Sequence, residues 1–197
     1  MNDVTQAATG KGDFRAEMDR LMELYQKGDD PATVALIQQV SPMLFRFFLR
    51  SPGNREHAAD LLQETWLHVH KVRHTYRPGE PVLPWLYAIA RHVGVDGYRR
   101  RKRVASNERT MNKVPEPQVR TAAVPGATPD FATLMEVLPP NQREVVTMLK
   151  ETGMSLEDVA RATASTVGAV KQRAHRAYRK LRQVLERLPL EEEPLRK

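Results

Sequence analysis

Apolar residues recur at every third or fourth position along most of the chain, the spacing that one buried face of an α-helix requires. The first such run extends from Phe14 to Tyr25, and Gly28 is placed to end it. Asp30 and Pro31 then predict an N-cap and a first helical position, and Pro42 is expected to kink or break the helix that they open. No segment of the sequence alternates in the manner of a strand, so the pattern predicts an all-α fold.

Two further helices complete a first module of four helices. One is predicted from Arg55 to about Arg73, after a turn at Pro52 and Gly53. Its apolar stripe is formed by Leu62, Trp66 and Val69. The other starts near Pro84, carries apolar residues at every fourth position and ends in the uninterrupted basic run from Arg99 to Arg103.

The helical pattern fails between Val104 and residue 130, where prolines punctuate a stretch with few large apolar residues. We expect a flexible linker there, which divides the chain into two small helical domains. The predicted division is a disordered N-terminus over residues 1–12, a four-helix domain over 13–103, the linker over 104–130, a second domain over 131–188 and a tail over 189–197.

The second domain carries the pattern of a helix-turn-helix. Ser155 and Asp158 have the spacing of a capping box, and a turn over Ala162 to Ser165 leads to Thr166, which can cap a longer helix beginning near Val167. A narrow apolar stripe follows that helix, formed by Val170, Ala174, Ala177 and Leu181. In this arrangement, side chains near the start of the second helix reach base edges in the major groove, while Arg and Lys further along neutralise phosphates.

The remaining surface of that helix is basic, and we expect it to read duplex DNA. Arg, Lys and Gln side chains have the donors that base edges accept. A basic amphipathic helix is also compatible with a solvated surface, a membrane ligand or a calmodulin-type ligand. The largely alanine stripe offers no bulky apolar face, which favours DNA. The residues expected to contact it are Thr166, Val167, Gly168, Lys171, Gln172, Arg173, His175 and Arg176.

Charge and composition narrow the function further. The formal net charge of +7 favours a polyanionic partner, and the absence of cysteine excludes disulfides, a thiolate nucleophile and Cys-based zinc sites. No run approaches the roughly 18 apolar residues of a membrane span, and the N-terminus lacks a signal-peptide pattern, so we expect a cytoplasmic protein without membrane insertion. The sequence has no Gly-rich phosphate loop, triad or paired-carboxylate framework, so we expect no enzyme and no cofactor.

Three histidines allow a metal site as an alternative. His68, His70 and His74 are close in sequence, and the last two lie one helical turn apart. No motif supplies an acidic general base between them. Histidines near a helix end are more often surface residues, so we expect no metal here.

Several segments resemble conserved regions of bacterial sigma factors. Two segments are similar to the second conserved region of that family. They are Asp60-Leu61-Leu62-Gln63-Glu64-Thr65-Trp66-Leu67 and Pro84-Trp85-Leu86-Tyr87-Ala88-Ile89-Ala90-Arg91, the latter followed by Asp96 and Arg99-Arg100. Two further segments are similar to the fourth conserved region. They are Leu138-Pro139-Pro140-Asn141-Gln142-Arg143-Glu144-Val145 and the segment from Gly168 to Leu181. The resemblance covers about Met18 to Leu185, without the regions that larger sigma factors add. The chain therefore resembles the short, two-domain sigma factors of the extracytoplasmic-function type.

The resemblance implies a subunit that lends promoter specificity to the RNA polymerase core enzyme. It also implies an anti-sigma factor that holds the subunit inactive, with sequestration at the membrane as one form of that control. A third implication is a contact with the clamp helices of the largest polymerase subunit. The residues expected to make it, called the core-binding set, are Asp60, Gln63, Glu64 and Leu67. They lie at i, i+3, i+4 and i+7 on one helical face, whose polar and partly acidic character suits a protein partner but also an ordinary solvated face.

The helix after Pro84, with the loop from His74 to Leu83 before it, is assigned by the resemblance to the minus-ten promoter element and its melting. Aromatic residues interleaved with basic ones suit unstacked bases, although a charge run by itself is usually only solvated. The expected contacts, called the minus-ten set, are Tyr87, Arg91, His92, Asp96, Tyr98, Arg99, Arg100 and Arg103. The groove-reading residues from Thr166 to Arg176 are assigned to the minus-thirty-five element and are called the minus-thirty-five set.

Two positions depart from the family pattern. Many relatives have Asn where this chain has His92, and Gly where it has Ala164 in the turn. Glycine would relieve a left-handed residue, so Ala164 implies either about 1 kcal/mol of strain or a different turn geometry. The alternative function is a stand-alone helix-turn-helix transcriptional regulator, which would bind duplex DNA without polymerase and would not need Asp60 or Glu64.

Overall fold

The computed structural model describes residues 3–50, 54–108 and 131–186, and within these ranges every regular element is a helix. The first module consists of α1 (Asp3–Gln26), α2 (Asp30–Leu49), α3 (Arg55–Val72) and α4 (Val82–Glu108), with a 3₁₀ turn at Arg73–Thr75. The second module consists of α5 (Phe131–Glu136), α6 (Pro140–Lys150), α7 (Leu156–Ala162) and α8 (Val167–Leu185). The predicted all-α class is confirmed.

The junction between α1 and α2 follows from local chemistry. Gly28 ends the first helix with φ +84°, a left-handed conformation that glycine adopts without strain. The cap of α2 is Asp29, whose side chain accepts a hydrogen bond from the amide of Ala32 at 2.8 Å. The predicted cap, Asp30, is instead the first helical residue, where its charge interacts favourably with the positive end of the helix dipole.

The N-terminal part of α1 differs from the prediction. The helix begins at Asp3, within the segment 1–12 for which the sequence predicts disorder. This segment contains no proline, and alanines at positions 7 and 8 favour helix propagation from the packed part of α1. That packed part is anchored by Met18, Leu21 and Met22, which are buried in the core.

Pro42 lies inside α2, which continues to Leu49, so of the predicted kink or break the structure excludes the break. A proline in a helix interior costs roughly 3 kcal/mol through its lost amide and its ring clash. Val40 and Leu44 on either side of it are fully buried, and burial of each side chain contributes about 1.5–3 kcal/mol. Packing on both sides of the proline therefore offsets its cost.

By length and composition, α2 is the one helix in the described ranges that is long and apolar enough to cross a membrane. One side of it, including Leu36, Val40 and Leu44, is fully buried within the helical core. This is the burial expected of the central helix of a globular module.

The residues that α3 buries differ from the predicted stripe of Leu62, Trp66 and Val69. The buried face is formed by Ala58, Leu61, Thr65 and Val69. Leu62 and Trp66 pack at the edge of the core, where the indole N–H of Trp66 donates to the hydroxyl of Ser41 at 2.9 Å. A tryptophan at the edge can bury its ring while its N–H reaches an acceptor, which is why the largest apolar residue does not mark the centre of this face.

Close approach of α3 and α4 requires Gly97. A Cβ at this position would lie 2.7 Å from Cδ2 of Leu61. Beyond this contact α4 continues to Glu108, past the predicted linker boundary at residue 104. The rest of the predicted linker from residue 109, the predicted turn at residues 52–53 and the predicted tail at 189–197 lie outside the described residues.

One apolar cluster contains residues of both modules. The buried residues Leu36, Phe47 and Tyr87 of the first module belong to the same cluster as Val145 and Val159 of the second. The second module therefore packs directly against the first, an arrangement that the sequence pattern did not predict.

Candidate nucleic-acid interface

The helix-turn-helix is held by side-chain caps on both of its helices. The hydroxyl of Ser155 accepts from the amide of Asp158 at 3.0 Å, and the Asp158 carboxylate accepts from the amide of Ser155 at 3.1 Å. The predicted capping box is therefore confirmed. At the start of α8, the hydroxyl of Thr166 accepts from the amide of Ala169 at 3.2 Å, which confirms the second predicted cap.

The turn between α7 and α8 contains a strained residue. Ala164 has φ +48°, so the structure shows the strained alternative of the two that the sequence allowed. Hydrogen bonds on both sides hold the turn. The amide of Ser165 donates to the carbonyl of Ala160 at 2.9 Å, and the hydroxyl of Thr163 donates to the carbonyl of Val159 at 2.7 Å.

The side of α8 that faces its neighbours is narrow. Val170, Ala174 and Ala177 are buried as predicted, and Leu181 is half-buried. The small side chains let α8 lie close to α6 and α7. The exposed members of the minus-thirty-five set are Thr166, Gly168, Lys171, Gln172, His175 and Arg176, while Val167 and Arg173 are half-buried.

The exposed side of α8 carries only one sign of charge. No acidic residue occurs between Val167 and Leu185, and Arg179 and Lys180 extend the positive surface beyond the minus-thirty-five set. The backbone amides in the first turn of the helix add the positive end of its dipole. This geometry suits the predicted docking on duplex DNA, with base contacts near the N-terminus and phosphate contacts further along.

The N-terminal half of α4 is covered. Tyr87 is fully buried, and its ring packs edge-on against Phe47 with the ring centroids 5.2 Å apart. Its hydroxyl has no hydrogen-bond partner within the described residues. Burial raises the pKa of Tyr87, and the nearby carboxylate of Glu151 in the second module adds to this effect. In this arrangement Tyr87 is not accessible to DNA.

Arg91, one turn further along α4, is paired across the two modules. Its Nε lies 2.9 Å from the Glu144 carboxylate in α6. Burial raises the pKa of Glu144, while the charge of Arg91 acts in the opposite direction. The second predicted minus-ten residue is thus also engaged by the second module.

The C-terminal half of α4 is open. His92 and Arg99 both lie near the carboxylate of Asp96, at 3.2 and 3.6 Å, in pairs on the helix surface. Tyr98 is 51% exposed. The exposed members of the minus-ten set are His92, Tyr98, Arg99, Arg100 and Arg103, while Asp96 is half-buried. Only this half presents aromatic and basic groups together to solvent.

The core-binding set lies on the outer face of α3. Asp60, Gln63 and Leu67 are exposed, and Leu67 leaves 55% of its surface in solvent. The Glu64 carboxylate accepts from Nη2 of Arg100 at 2.7 Å through each of its two oxygens. This pair joins the core-binding set to the minus-ten set, a connection between α3 and α4 that helical spacing alone does not predict.

Comparison with known proteins identifies the family. Residues 36–104 match the family Sigma-70 region 2, and residues 130–181 match Sigma-70, region 4. The RNA polymerase sigma factor CarQ of Myxococcus xanthus is 34% identical, over 86% of this chain and 98% of that protein. The ECF sigma factor EcfG of Rhodopseudomonas palustris is 32% identical, over 73% of this chain and 80% of that protein. The chain belongs to the extracytoplasmic-function sigma factors.

Solved structures of sigma factors show the same fold. The sigma factor RpoE in complex with the anti-sigma factor NepR from Bartonella quintana has a TM-score of 0.62 at 24% identity, over 76% of this chain and 94% of that one. CnrH in complex with the cytosolic domain of CnrY has a TM-score of 0.64 at 20% identity, over 86% of this chain and 97% of that one. The helical architecture described above is therefore that of known sigma factors.

Arg143 is a residue of this sigma factor to which sequence reasoning gave no role. Its guanidinium donates to the carbonyls of Met135, Glu136 and Leu138 at 2.8, 3.0 and 3.0 Å, which fixes α5 and the following turn on α6. It also donates to the carbonyl of Arg50 in the first module at 2.6 Å. Burial lowers the pKa of Arg143. The sequence feature that could have pointed to Arg143 is its position within the segment that resembles the fourth region.

One of the three histidines expected at the surface, His70, makes a contact between two helices of the first module. Nδ1 of His70 lies 2.9 Å from the hydroxyl of Tyr25, which ties α3 to α1. Among the described residues, no group of three or more acidic or histidine side chains is placed to hold a metal ion.

Proposed function

We propose that this sigma factor uses three surfaces to bring RNA polymerase to a promoter. The core-binding set on α3 docks on the polymerase, the minus-ten set on α4 engages the melted element, and the minus-thirty-five set on α8 enters the major groove upstream. The polymerase performs the chemistry, and the chain itself contributes binding alone. The observation that carries the proposal is the exposed face of α8, whose charged residues are all basic, in a helix-turn-helix with both helices capped by side chains.

Support for the polymerase contact comes from the composition of the α3 face. A large apolar side chain, Leu67, is exposed beside Asp60 and Gln63 on a chain that is basic overall. An apolar anchor within a polar rim is the composition usual for a protein interface. Because Leu67 is 55% exposed in the free chain, its replacement should affect binding far more than folding.

Run-off transcription with core polymerase tests the proposal. Leu67→Ala should lower transcription from a dependent promoter by about tenfold, the effect of losing roughly 1.4 kcal/mol of binding free energy. Val34→Ala is the matched control, since Val34 is 52% exposed on α2, a helix that carries none of the three sets, and this variant should transcribe like the parent. Equal transcription by both variants would contradict the assignment of the α3 face.

We further propose control by an anti-sigma factor, as in the RpoE structure, where that partner is the anti-sigma factor NepR. The chain would then be cytoplasmic, and a membrane-bound anti-sigma factor would hold it at the membrane. Co-purification of the chain from its host, with and without detergent, checks this. A stable partner whose removal restores transcription supports it, and an uncomplexed chain under all growth conditions contradicts it.

One observation favours the second candidate, a stand-alone regulator. In this structure α8 is exposed, while Tyr87 of the minus-ten set is buried and Arg91 is paired with Glu144, so two of the expected melting residues are engaged within the chain. A regulator of this kind would bind a duplex site specifically in the absence of polymerase. Specific duplex binding with no stimulation of core polymerase would favour it over the sigma factor.

A further inference from the structure

The loop that joins α3 to α4 contains a tight turn of its own. This loop, residues 76–81, is called the α3–α4 loop. The amide of Glu80 donates to the carbonyl of Arg77 at 3.1 Å, and Gly79 has φ +85°. A proline followed by a left-handed glycine is typical of the centre of a type II turn, and Pro78 precedes Gly79. The tip of the loop, from Arg77 to Glu80, is exposed.

Tyr76 fastens this turn to the first module. It is 3% exposed, although the residues on both sides of it are exposed. Its ring packs against Trp85 with the ring centroids 5.7 Å apart, and its hydroxyl donates to the carbonyl of Glu80 at 2.5 Å. Burial raises the pKa of Tyr76, and the nearby carboxylate of Asp19 adds to this effect. The hydroxyl therefore remains protonated and can donate to the turn.

The last turn of α1 holds the start of the same loop. Nε2 of Gln26 donates to the carbonyls of Arg73 and Tyr76 at 2.6 and 2.8 Å. A carboxamide nitrogen carries two hydrogens, so one side chain can satisfy both acceptors. Gln26 thereby joins the 3₁₀ turn that follows α3 to the first residue of the α3–α4 loop.

Asp19, about two turns before Gln26 on α1, holds the other end of the loop. Its Oδ1 accepts from the amide of Val82, the first residue of α4, at 2.7 Å. The residue before α4 is Pro81, which has no polar side chain, so this cap comes from another helix. A carboxylate at this position also interacts favourably with the helix dipole. Burial raises the pKa of Asp19, while the hydrogen bond from Val82 acts in the opposite direction.

These two anchors lie outside the segment that matches the family. The match to Sigma-70 region 2 begins at residue 36, after α1 has ended at Gln26. The loop that they hold belongs to the segment from His74 to Leu83, which the resemblance assigns to the minus-ten element. No residue of α1 belongs to a predicted site, so its connection to that segment is visible only in the structure.

Fixing the loop in advance has a consequence for binding. A flexible loop loses conformational entropy when it binds DNA, and that loss weakens the complex. A loop that is already held in its binding conformation loses less. Side-chain hydrogen bonds at both ends of the α3–α4 loop and across its turn restrict it in the free chain.

We infer that Asp19 and Gln26 are positioning residues for the minus-ten surface, because they hold the α3–α4 loop and the start of α4 in the conformation that engages the promoter. The inference rests on the proposed function, since it concerns the presentation of the same DNA-binding surface. Both side chains are half-buried and act through the backbone groups that they bind.

Isosteric substitutions separate these hydrogen bonds from packing. Gln26→Glu keeps the size of the side chain but places a carboxylate against two carbonyls. Asp19→Ala removes the acceptor, whereas Asp19→Asn keeps an acceptor oxygen without the charge. Glu17→Ala is the control for Asp19→Ala, because it removes the same charge from the same helix, where Glu17 pairs with Arg20. Gln39→Glu is the control for Gln26→Glu, because it makes the same change at an exposed position of α2.

Hydrogen exchange followed by nuclear magnetic resonance measures the loop without DNA or polymerase. Asp19→Ala should speed the exchange of the Val82 amide by about tenfold over its control, because this amide loses its acceptor. Gln26→Glu should similarly speed exchange at Glu80, since the turn is no longer held at its start. Asp19→Asn should stay within about twofold of the parent at Val82. Exchange at Val82 and Glu80 that is unchanged in both disrupting variants would overturn the inference.

The second readout is promoter opening by holoenzyme reconstituted from core polymerase, on a dependent promoter found by mapping transcript starts. Permanganate reactivity of unpaired thymines measures opening, and gel-shift binding of a duplex with the upstream element alone measures docking by α8. Asp19→Ala and Gln26→Glu should each lower opening by about five- to tenfold relative to their controls and leave upstream binding within about twofold. An equal loss of opening and upstream binding would indicate general damage and contradict the positioning role.

Rescue by the conservative variant is the sharpest outcome. Asp19→Asn should recover most of the opening that Asp19→Ala loses, because the amide of Val82 regains an acceptor. A loss in Asp19→Asn as large as that in Asp19→Ala would show that the charge matters rather than the hydrogen bond, and would reject the inferred cap.

These measurements separate the inference from the proposed function. A parent chain that opens no promoter would reject the sigma factor, while hydrogen exchange would still decide whether α1 holds the loop. A parent chain that opens promoters, with Asp19→Ala and Gln26→Glu equal to their controls, would support the sigma factor and reject the positioning role.

Discussion

Replacing Arg143 by leucine should destabilise the second module more than any single exposed substitution. The side chain donates to four carbonyls, of Met135, Glu136, Leu138 and Arg50. Hydrogen bonds from charged donors each contribute about 1.5–3 kcal/mol net, but these four share one half-buried group and water can reach some of the acceptors. We therefore expect a loss of about 2–4 kcal/mol in the free energy of unfolding.

Urea unfolding followed by two probes measures this effect. Both tryptophans, Trp66 and Trp85, lie in the first module, so their fluorescence reports that module, while far-ultraviolet circular dichroism reports all helices. Arg143→Leu should move the circular-dichroism transition to lower urea and the fluorescence transition by less, because only one of the four bonds crosses between modules.

The controls for this experiment are a conservative and an exposed substitution. Arg143→Lys keeps the charge but lacks the planar fork that reaches several acceptors, so we expect roughly half the loss of the leucine variant. Arg179→Leu, on the exposed side of α8, should stay within about 0.5 kcal/mol of the parent. A loss below about 1 kcal/mol for Arg143→Leu would refute the network as a stabilising element.

Three further predictions concern the turn, the α3–α4 contact and the groove-reading helix. Ala164→Gly should raise the free energy of unfolding by about 0.5–1 kcal/mol by relieving the residue at φ +48°, as thermal unfolding would show. Gly94→Ala should stabilise α4 by about 1 kcal/mol, whereas Gly97→Ala should gain less or destabilise because its Cβ would meet Leu61 at 2.7 Å; equal melting temperatures would reject that contact. Arg176→Ala should cost about 1–3 kcal/mol of binding at the upstream element if this residue reads a base, and an equal loss on scrambled duplex would assign it to phosphate.

The parts of the fold that depend on local chemistry could be predicted from the sequence. Ser155 with Asp158, Thr166 and Gly28 each act within a few residues of their own position, and each has the predicted conformation or hydrogen bond. The same holds for the alternation of buried and exposed residues along α8. Caps, turns and amphipathic stripes carry their physical cause in the adjacent sequence.

The parts that depend on packing between distant segments could not be predicted. Pro42 is accommodated because neighbouring helices bury the residues around it, and Trp66 lies at the edge of the core because its N–H needs Ser41. The burial of Tyr87 and the pairing of Arg91 with the second module arise from contacts across the predicted linker. A helical pattern shows which side chains share a face, but not what covers that face.

Mapping of the transcript starts that core polymerase makes on the genomic DNA of the source bacterium, with and without this chain, tests its function as a promoter-specificity subunit. New starts should appear only when the chain is added, preceded by two shared sequence elements at a constant spacing. Arg176→Ala should weaken these starts and Leu67→Ala should weaken them without changing their sequence elements. An identical set of starts with and without the chain would contradict its function as a promoter-specificity subunit.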